Sequence, residues 1–173
     1  ILSGINADSF EIIAEFELDT AKEFGFKVRK GIGQETIVGY NVNSKEMFVD
    51  RRNSGNNFAP EVQKAPLSPE SNRVKLHMFV DWSSIEVFGN DGKEVITDLI
   101  FPSPTSDGLE LYAVDGNVKL VSLDVYKLKS IWRDDEKITV PKRLYLSSDS
   151  INVNMGRRAN ISAIVLPHTA LNK

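Results

Sequence analysis

The sequence predicts an all-β protein built as an antiparallel sandwich of two sheets, and three observations carry that prediction. Apolar and polar residues alternate with a period of two between residues 10 and 125, which is typical of strands with one buried face. No window of about twelve residues keeps an apolar stripe of helical spacing. Turn formers such as Asn43-Ser44 and Asp115-Gly116 separate the apolar stretches. Two sheets hide their apolar faces by packing on each other, so we favour a sandwich, with a closed barrel as the alternative.

Nine short segments rich in β-branched and aromatic residues are the predicted strands. They cover residues 10–18, 24–30, 36–42, 46–51, 73–81, 84–89, 94–101, 109–114 and 118–128. No helical segment separates them, which favours antiparallel pairing between neighbours. The segment 53–72 is instead predicted to be a surface loop, because it is polar and contains Pro60, Pro66 and Pro69, and proline cannot donate to a sheet ladder.

The clearest predicted hairpin joins segments 84–89 and 94–101. Between them lies Asn90-Asp91-Gly92, and these residue types tolerate the positive φ that a tight turn requires. We expect this turn to set the register of the pair. The side chains expected to supply its core contacts are Val87, Phe88, Val95 and Leu99.

The composition excludes several classes of function. The 173 residues contain no cysteine, which removes disulfides, thiolate nucleophiles and cysteine-bound zinc. The formal net charge is −3, so there is no long-range attraction to nucleic acid or anionic lipid. No apolar run reaches the roughly 18 residues that a membrane span needs. We therefore predict no nucleic-acid partner, no membrane partner, no metal and no cofactor.

Catalytic constellations are hard to assemble from this sequence. A hydrolytic triad needs a histidine base, and the two histidines lie far apart at His77 and His168. We interpret His77 as a strand residue with satisfied hydrogen bonds. Gly31-Ile32-Gly33 lacks the third glycine and the following helix of a dinucleotide fingerprint, so it is predicted to be a turn. Acids spaced like Glu15 and Glu17 are typical of a solvated sheet face, and we predict no catalytic residue.

A carbohydrate-binding site has some support in the pattern. Sandwich modules hold sugars with an aromatic platform, or with an acid and an arginine on rigid strands. Glu15, Arg29 and Tyr40 lie on neighbouring predicted strands, and Trp82 stands at a strand end. These four residues are the candidate carbohydrate-binding set. The alternative is that Tyr40 packs in the core and Arg29 pairs with a surface acid.

Four longer stretches occur together in the order of a known family. They are "EFGFKVRKG", "VGYNVNSKEMFVDRRNSG", "VKLHMFVDWSSIEVFGNDGKEVITDLIFP" and "DGLELYAVDGNVKLVSLDVYKL". Over residues 10–132 the chain closely resembles the C-terminal β-sandwich of glycoside hydrolase family 32. These are β-fructosidases that include levanases, inulinases, invertases and sucrose-6-phosphate hydrolases, and the likeness is greatest to bacterial levanase-like members.

The resemblance implies a concanavalin-like or jelly-roll sandwich that packs beside a catalytic five-bladed propeller. The family's catalytic signatures are Asn-Asp-Pro-Asn-Gly, Arg-Asp-Pro and Glu-Cys, and none of them occurs in this sequence. The resemblance therefore implies no catalytic role for any residue of this chain. At Asp81-Trp82-Ser83-Ser84 the family usually has Asp-Arg-Ser-Ser, so an arginine's fork of donors is replaced by a broad apolar face.

The sequence changes character after Trp132, where the charged stretch "RDDEK" begins. We predict a sandwich over residues 1–132, a linker over 133–139 and the truncated start of an immunoglobulin-like β domain over 140–173. The stretch "KRLYLSSDSINVNMGRRANISAIVLPHTALNK" resembles the first half of a bacterial immunoglobulin-like repeat. That resemblance implies an extracellular or cell-surface location in a Gram-positive bacterium, and a chain that is part of a longer protein.

The family resemblance implies a non-catalytic module that braces the propeller of a fructan-hydrolysing enzyme. The alternative is a carbohydrate-binding module that recognises terminal fructose of levan or inulin, and a third hypothesis is a cell-surface spacer. A scaffold domain separated from its propeller is expected to expose an apolar patch. A binding module is expected to show a small polar pocket instead.

Overall fold

The computed structural model describes residues 7–56 and 60–129, together with two short strands further along the chain. The predicted linker, and the predicted immunoglobulin-like start apart from those two strands, lie outside the described residues. Within the described residues there are twelve strands and no helix. In chain order the strands are β1 (Phe10–Leu18), β2 (Glu23–Gly31), β3 (Gln34–Asn41), β4 (Glu46–Asn53), β5 (Val62–Pro66), β6 (Arg73–Val80), β7 (Ser84–Gly89), β8 (Glu94–Leu99), β9 (Gly108–Val114), β10 (Val118–Lys127), β11 (Arg143–Leu146) and β12 (Ala163–Leu166).

Ten of these strands form two five-stranded sheets in which every pairing is antiparallel. The front sheet has the order β10-β1-β6-β7-β8, and the back sheet has the order β5-β4-β3-β2-β9. Strands β11 and β12 pair with each other. The predicted two-sheet sandwich with a short β tail is confirmed, and the barrel alternative is wrong.

The core lies between the two sheets, where apolar side chains from both sides meet. Burial alternates along β1 and β6 as the period-two pattern predicts. Phe16 of the front sheet packs against Phe24 and Phe26 of the back sheet, with ring centroids 4.7 and 5.8 Å apart. Tyr40 lies 5.6 Å from Phe24 and is fully buried, so the interpretation of Tyr40 as a core residue is confirmed.

The nine predicted strands are all present, but the loop predicted over residues 53–72 is not a loop throughout. It contains β5, which pairs with β4 from Glu46 opposite Pro66 to Asp50 opposite Val62. The loop prediction, which rested on the prolines, is wrong at β5 because Pro66 is the last residue of an edge strand. At that place the missing N–H breaks no central ladder.

The β7–β8 hairpin has the predicted turn but only part of the predicted core. Asn90, Asp91 and Gly92 have φ values of 46°, 60° and 85°, as the turn requires. Val87 is buried, whereas Phe88 faces outwards and Val95 and Leu99 are 48% and 55% exposed. The core contacts of β8 come from the alternate face, which carries Ile96 and Asp98, because neighbouring strand residues point to opposite faces.

Candidate functional site

The predicted sugar-binding residues do not gather at one place. Glu15 is on the outer face of β1, where its carboxylate accepts a hydrogen bond from Arg73 at 3.1 Å. Trp82 lies in the β6–β7 turn and is 47% exposed. Tyr40 points into the core and donates a hydrogen bond to the Leu67 carbonyl at 2.9 Å, and burial raises its pKa to about 12. Of these three, only Glu15 and Trp82 reach solvent.

Arg29, the fourth candidate, is held inside the protein. Its side chain is only 2% exposed, and it donates from Nε to the Ser106 carbonyl at 2.8 Å and from Nη1 to the Asp8 carbonyl at 2.6 Å. Burial lowers its pKa, and the charges of Asp8, Asp107 and Asp81 oppose that shift. The predicted ion pair with a surface acid is therefore replaced by bonds to backbone carbonyls.

Arg29 turns inwards because β2 is irregular at this point. The register of β2 with β9 shifts between Lys27 and Lys30, and Arg29 itself has a φ of 49°. Such a bulge breaks the in–out alternation and re-aims a side chain. No local signal in the sequence marks it. Whether the four predicted residues bind sugar stays a prediction, with Arg29 and Tyr40 enclosed by protein.

A buried charge cluster between the sheets was missed by the sequence reasoning. Arg51 of β4 reaches the edge strand β8 of the front sheet, where its Nε lies 3.0 Å from Asp98 Oδ1. Its other nitrogens donate to the Leu99 carbonyl at 2.9 Å and to Glu61 at 2.8 Å. Burial raises the pKa of Asp98, although the charge of Arg51 opposes the shift. This cluster joins the two sheets along one side of the sandwich.

The outer face of the front sheet carries a set of apolar and aromatic side chains that we call the front patch. His77 lies between Phe79 and Phe88, with ring centroids 4.8 and 5.8 Å away. Its Nε2 is 2.7 Å from Glu11 Oε1, which confirms the interpretation of a satisfied strand histidine. The front patch consists of Ile13, His77, Phe79, Phe88, Val95 and Leu99.

The outer face of the back sheet is covered differently. Gly25 and Gly39 lie opposite each other in its centre, with Tyr112 and Phe48 on the strands to either side. Both aromatic rings lean over the glycines, since a Cβ on Gly39 would lie 2.4 Å from the Tyr112 hydroxyl and 2.5 Å from Phe48 Cζ. The Tyr112 hydroxyl donates to Glu23 at 3.1 Å, and burial together with Glu23 raises its pKa.

One end of the sandwich also exposes apolar side chains. At this leading end β1 begins, β6 and β10 end, and Ser9 donates a hydrogen bond to Asp81 at 3.2 Å. The end of β2 lies at this end too, because Arg29 donates to the Asp8 carbonyl just before β1. Six large apolar side chains are exposed among the described residues, and four of them belong to this end. These four are Ile32, Trp82, Leu99 and Leu128.

Metal and membrane sites find no support in the part of the chain that the structure describes. Within residues 7–56 and 60–129, no three His, Asp or Glu side chains come together as a possible metal site. In the same part of the chain, no helix has the length and apolarity to cross a bilayer.

Comparison with known proteins gives consistent matches for residues 2–127, which fit the sequence profile "Glycosyl hydrolases family 32 C terminal". A levanase of Bacillus sp. (strain L7) is 43% identical over 95% of this chain and 18% of its own length. A levanase of Bacillus subtilis is 51% identical over 76% of this chain and 20% of its own. The crystal structure of exo-inulinase from Aspergillus awamori superposes with a TM-score of 0.70 at 34% identity, covering 73% of this chain and 26% of that one. The chain thus spans about a fifth of the length of the levanases it matches.

Proposed function

The chain belongs to glycosyl hydrolase family 32 as its C-terminal domain, and from that premise we propose that it is the non-catalytic sandwich of an extracellular fructan-hydrolysing enzyme. In this proposal it stabilises the catalytic propeller by packing against it. The relatives named levanase and exo-inulinase support the substrate class. The absence of the family's catalytic signatures from this sequence supports the non-catalytic role.

The observation that carries the bracing role is the set of apolar side chains at the leading end. Ile32 is fully exposed, and Leu99 and Trp82 are exposed by 55% and 47%. Apolar side chains gathered on one part of a surface mark an interaction site more often than scattered ones do. The family domain is a C-terminal one, so in a full-length member the catalytic part precedes β1. The uncovered side chains then lie where that part meets the sandwich.

The test is to remove the sandwich from the full-length parent enzyme and to compare thermal unfolding and levan hydrolysis. We expect the shortened enzyme to unfold at a lower temperature, and its activity to be lost in step with unfolding. This follows because apolar surface on the propeller is left in water. An unchanged unfolding temperature with unchanged yield of soluble enzyme would refute the bracing role.

A second candidate function is fructan binding, which the exposed ring of Trp82 favours. An indole face at a turn can stack on a sugar ring. Glu15 offers a carboxylate on the same sheet, but it lies opposite Lys75, towards the other end of β6. Isothermal titration of this chain with levan, inulin and fructose tests it, beside Trp82→Ala and Glu15→Gln. Saturable heat that either variant abolishes would support a binding module. No heat at millimolar fructose equivalents would leave the bracing role alone.

The cellular location and the tail extend the same proposal. Relatives from Aspergillus awamori and Aspergillus niger are named extracellular exo-inulinases, which supports secretion of the parent. The immunoglobulin-like identity of residues 140–173 stays a prediction, supported by the pairing of β11 with β12. A parent protein recovered only from the cytoplasm of its bacterium would contradict the proposed location.

A further inference from the structure

The two outer faces of the sandwich differ in a way that indicates which of them is covered in the parent enzyme. The front patch forms a continuous row across four strands: Ile13 lies opposite His77, His77 opposite Phe88, and Phe88 opposite Val95. The sandwich core lies on the other side of these strands, so its own packing does not require apolar residues here. Rows of this kind on a solvated face mark an interaction site.

The back sheet shows what a face adapted to water looks like on the same domain. Ion pairs close over its outer face, with Lys27 3.0 Å from Glu35 and Arg52 2.7 Å from Asp50. Its central aromatic rings fill the space above Gly39, and Phe48 is only 9% exposed. The charged pairs keep this face hydrated, and removing them from water without new partners would be unfavourable. The front sheet carries charged pairs too, but its Arg73 pairs with Glu15 and Glu17, at 3.1 and 3.2 Å, lie towards the end of β1 away from the front patch.

We propose that the outer face of the front sheet, through the front patch, is the surface on which the catalytic region of the parent enzyme packs. This inference rests on the proposed function and specifies the surface. The front patch continues into the leading end through Leu99, the last residue of β8, next to the turn that exposes Trp82. One partner that also accommodates the exposed Glu86 and Thr97, which lie between Leu99 and the apolar row, can therefore cover both apolar areas.

The size of the face fits a partner within the same molecule. Strands lie about 4.8 Å apart and rise about 3.4 Å per residue, so five strands of six residues present a face of roughly 20 Å by 20 Å. That is about 400 Å², roughly half of the 800 Å² that each side of a stable interface buries, and the leading end adds to it. About four fifths of the levanase length lies outside the matched region, which is ample for such a partner.

The row beside the front patch predicts the chemistry of the partner surface. Glu11 and Glu86 flank Phe79 on the neighbouring strands, and Glu86 is exposed. Glu11 is already bonded to His77 at 2.7 Å, so Glu86 is the acid that a basic side chain of the partner would complement. We therefore expect the docking face of the catalytic region to be apolar, with a lysine or arginine opposite Glu86.

The experiment places lysines on the front patch at positions that the isolated domain tolerates. Val95 and Leu99 are half exposed on β8, and Val114 on the outer face of β9 is 41% exposed and serves as the matched control. In this 173-residue chain all three lysine variants are expected to unfold like the wild type, since exposed substitutions have small effects. In the full-length parent, Val95→Lys with Leu99→Lys is expected to lower the unfolding temperature by at least about 4 °C, and Val114→Lys is expected to leave it unchanged.

The remaining outcomes each decide against the inference in a recognisable way. If deletion of the sandwich destabilises the parent but the Val95→Lys, Leu99→Lys variant does not, the front face is the wrong surface and the proposed function stands. If deletion has no effect, the proposed function itself fails. If Val114→Lys lowers the unfolding temperature of the full-length parent as much as the front variant does, the contact lies on the back sheet. If the front variants destabilise the 173-residue chain itself, the face is covered by the chain's own tail. If the 173-residue chain self-associates and the front variants abolish this, the face is covered by a second copy.

Discussion

Replacement of Arg51 by methionine is the sharpest test of how the two sheets are held together. Methionine keeps an unbranched stem and removes the guanidinium that lies between β4 and β8. The change deletes the ion pair to Asp98 at 3.0 Å and the hydrogen bonds to the Leu99 carbonyl and Glu61. The side chains of Arg51 and Asp98 are only 10% and 6% exposed, so water cannot replace these partners fully.

The expected loss is about 3–5 kcal/mol of unfolding free energy, which is typical when one partner of a buried pair is removed. Oδ2 of Asp98 already lacks a hydrogen-bond partner among the described residues, and the variant would leave the whole carboxylate without its cation. A domain of this size has roughly 5–15 kcal/mol of total stability. The unfolding temperature should therefore fall by roughly 10 °C.

The pH dependence of the loss supplies a second criterion. Burial raises the folded-state pKa of Asp98. As the pH falls, Asp98 is therefore protonated in the folded protein at a higher pH than in the unfolded chain. Protonation of Asp98 thus makes the folded state more stable as the pH falls through this pKa. Without Arg51 that pKa rises further. The unfolding free energy that Arg51→Met loses relative to the wild type should therefore become smaller as the pH is lowered from 7 to about 4.5.

Urea denaturation followed by circular dichroism at both pH values measures this difference. Lys22→Met is the control, because the Lys22–Asp115 pair is 61% and 47% exposed and an exposed pair contributes about 1 kcal/mol or less. The double variant Arg51→Met, Asp98→Asn should recover part of the loss at pH 7. The reasoning would be refuted if Arg51→Met loses less than about 1 kcal/mol of unfolding free energy, or if that loss does not change with pH.

Three further changes test other parts of the fold. Gly25→Ala should destabilise more than Gly39→Ala, because its Cβ would lie 2.0 Å from the Val38 carbonyl oxygen whereas the Gly39 Cβ meets the ends of side chains; equal unfolding temperatures would contradict this. Asn90→Ala should lose about 1–3 kcal/mol by urea denaturation, since its side chain bonds two backbone groups, at 2.9 and 2.8 Å. The pKa of Tyr40 is raised to about 12, so stability should fall as pH rises above about 10, where only the unfolded chain ionises. Tyr40→Phe should reduce that alkaline loss, and an identical slope in the variant would count against the assignment.

The fold was predictable because its signals are local. Period-two alternation, the turn residues Asn90 to Gly92 and the lack of helical stripes each depend on a few neighbouring residues, and the nine strands they predict are present. The prediction failed at β5 and at the face of β8. In β8 both faces carry apolar residues, with Val95 on one and Ile96 on the other, so alternation alone could not choose between them.

The candidate site was less predictable, since it depends on which strands come together. Arg29 looks like an ordinary surface cation of an alternating strand, yet it turns inwards at a bulge. Arg51 follows Met47 and Val49 on the inward face of β4, but no local signal shows that it reaches the opposite sheet. The sugar-binding set assumed that neighbouring strands bring side chains to one face. Tyr40 instead points into the core, and Trp82 lies at the leading end.

By itself the sequence determined the all-β class, most strand positions, the family and the lack of its catalytic signatures, because these are properties of short patterns. Only the tertiary structure decided which face of each strand is buried, how Arg51 joins the sheets, and that the front sheet keeps an apolar row facing outwards. Those features depend on register and on pairing between residues far apart in the chain. A shift of one residue would exchange every buried side chain of a strand for its exposed neighbour.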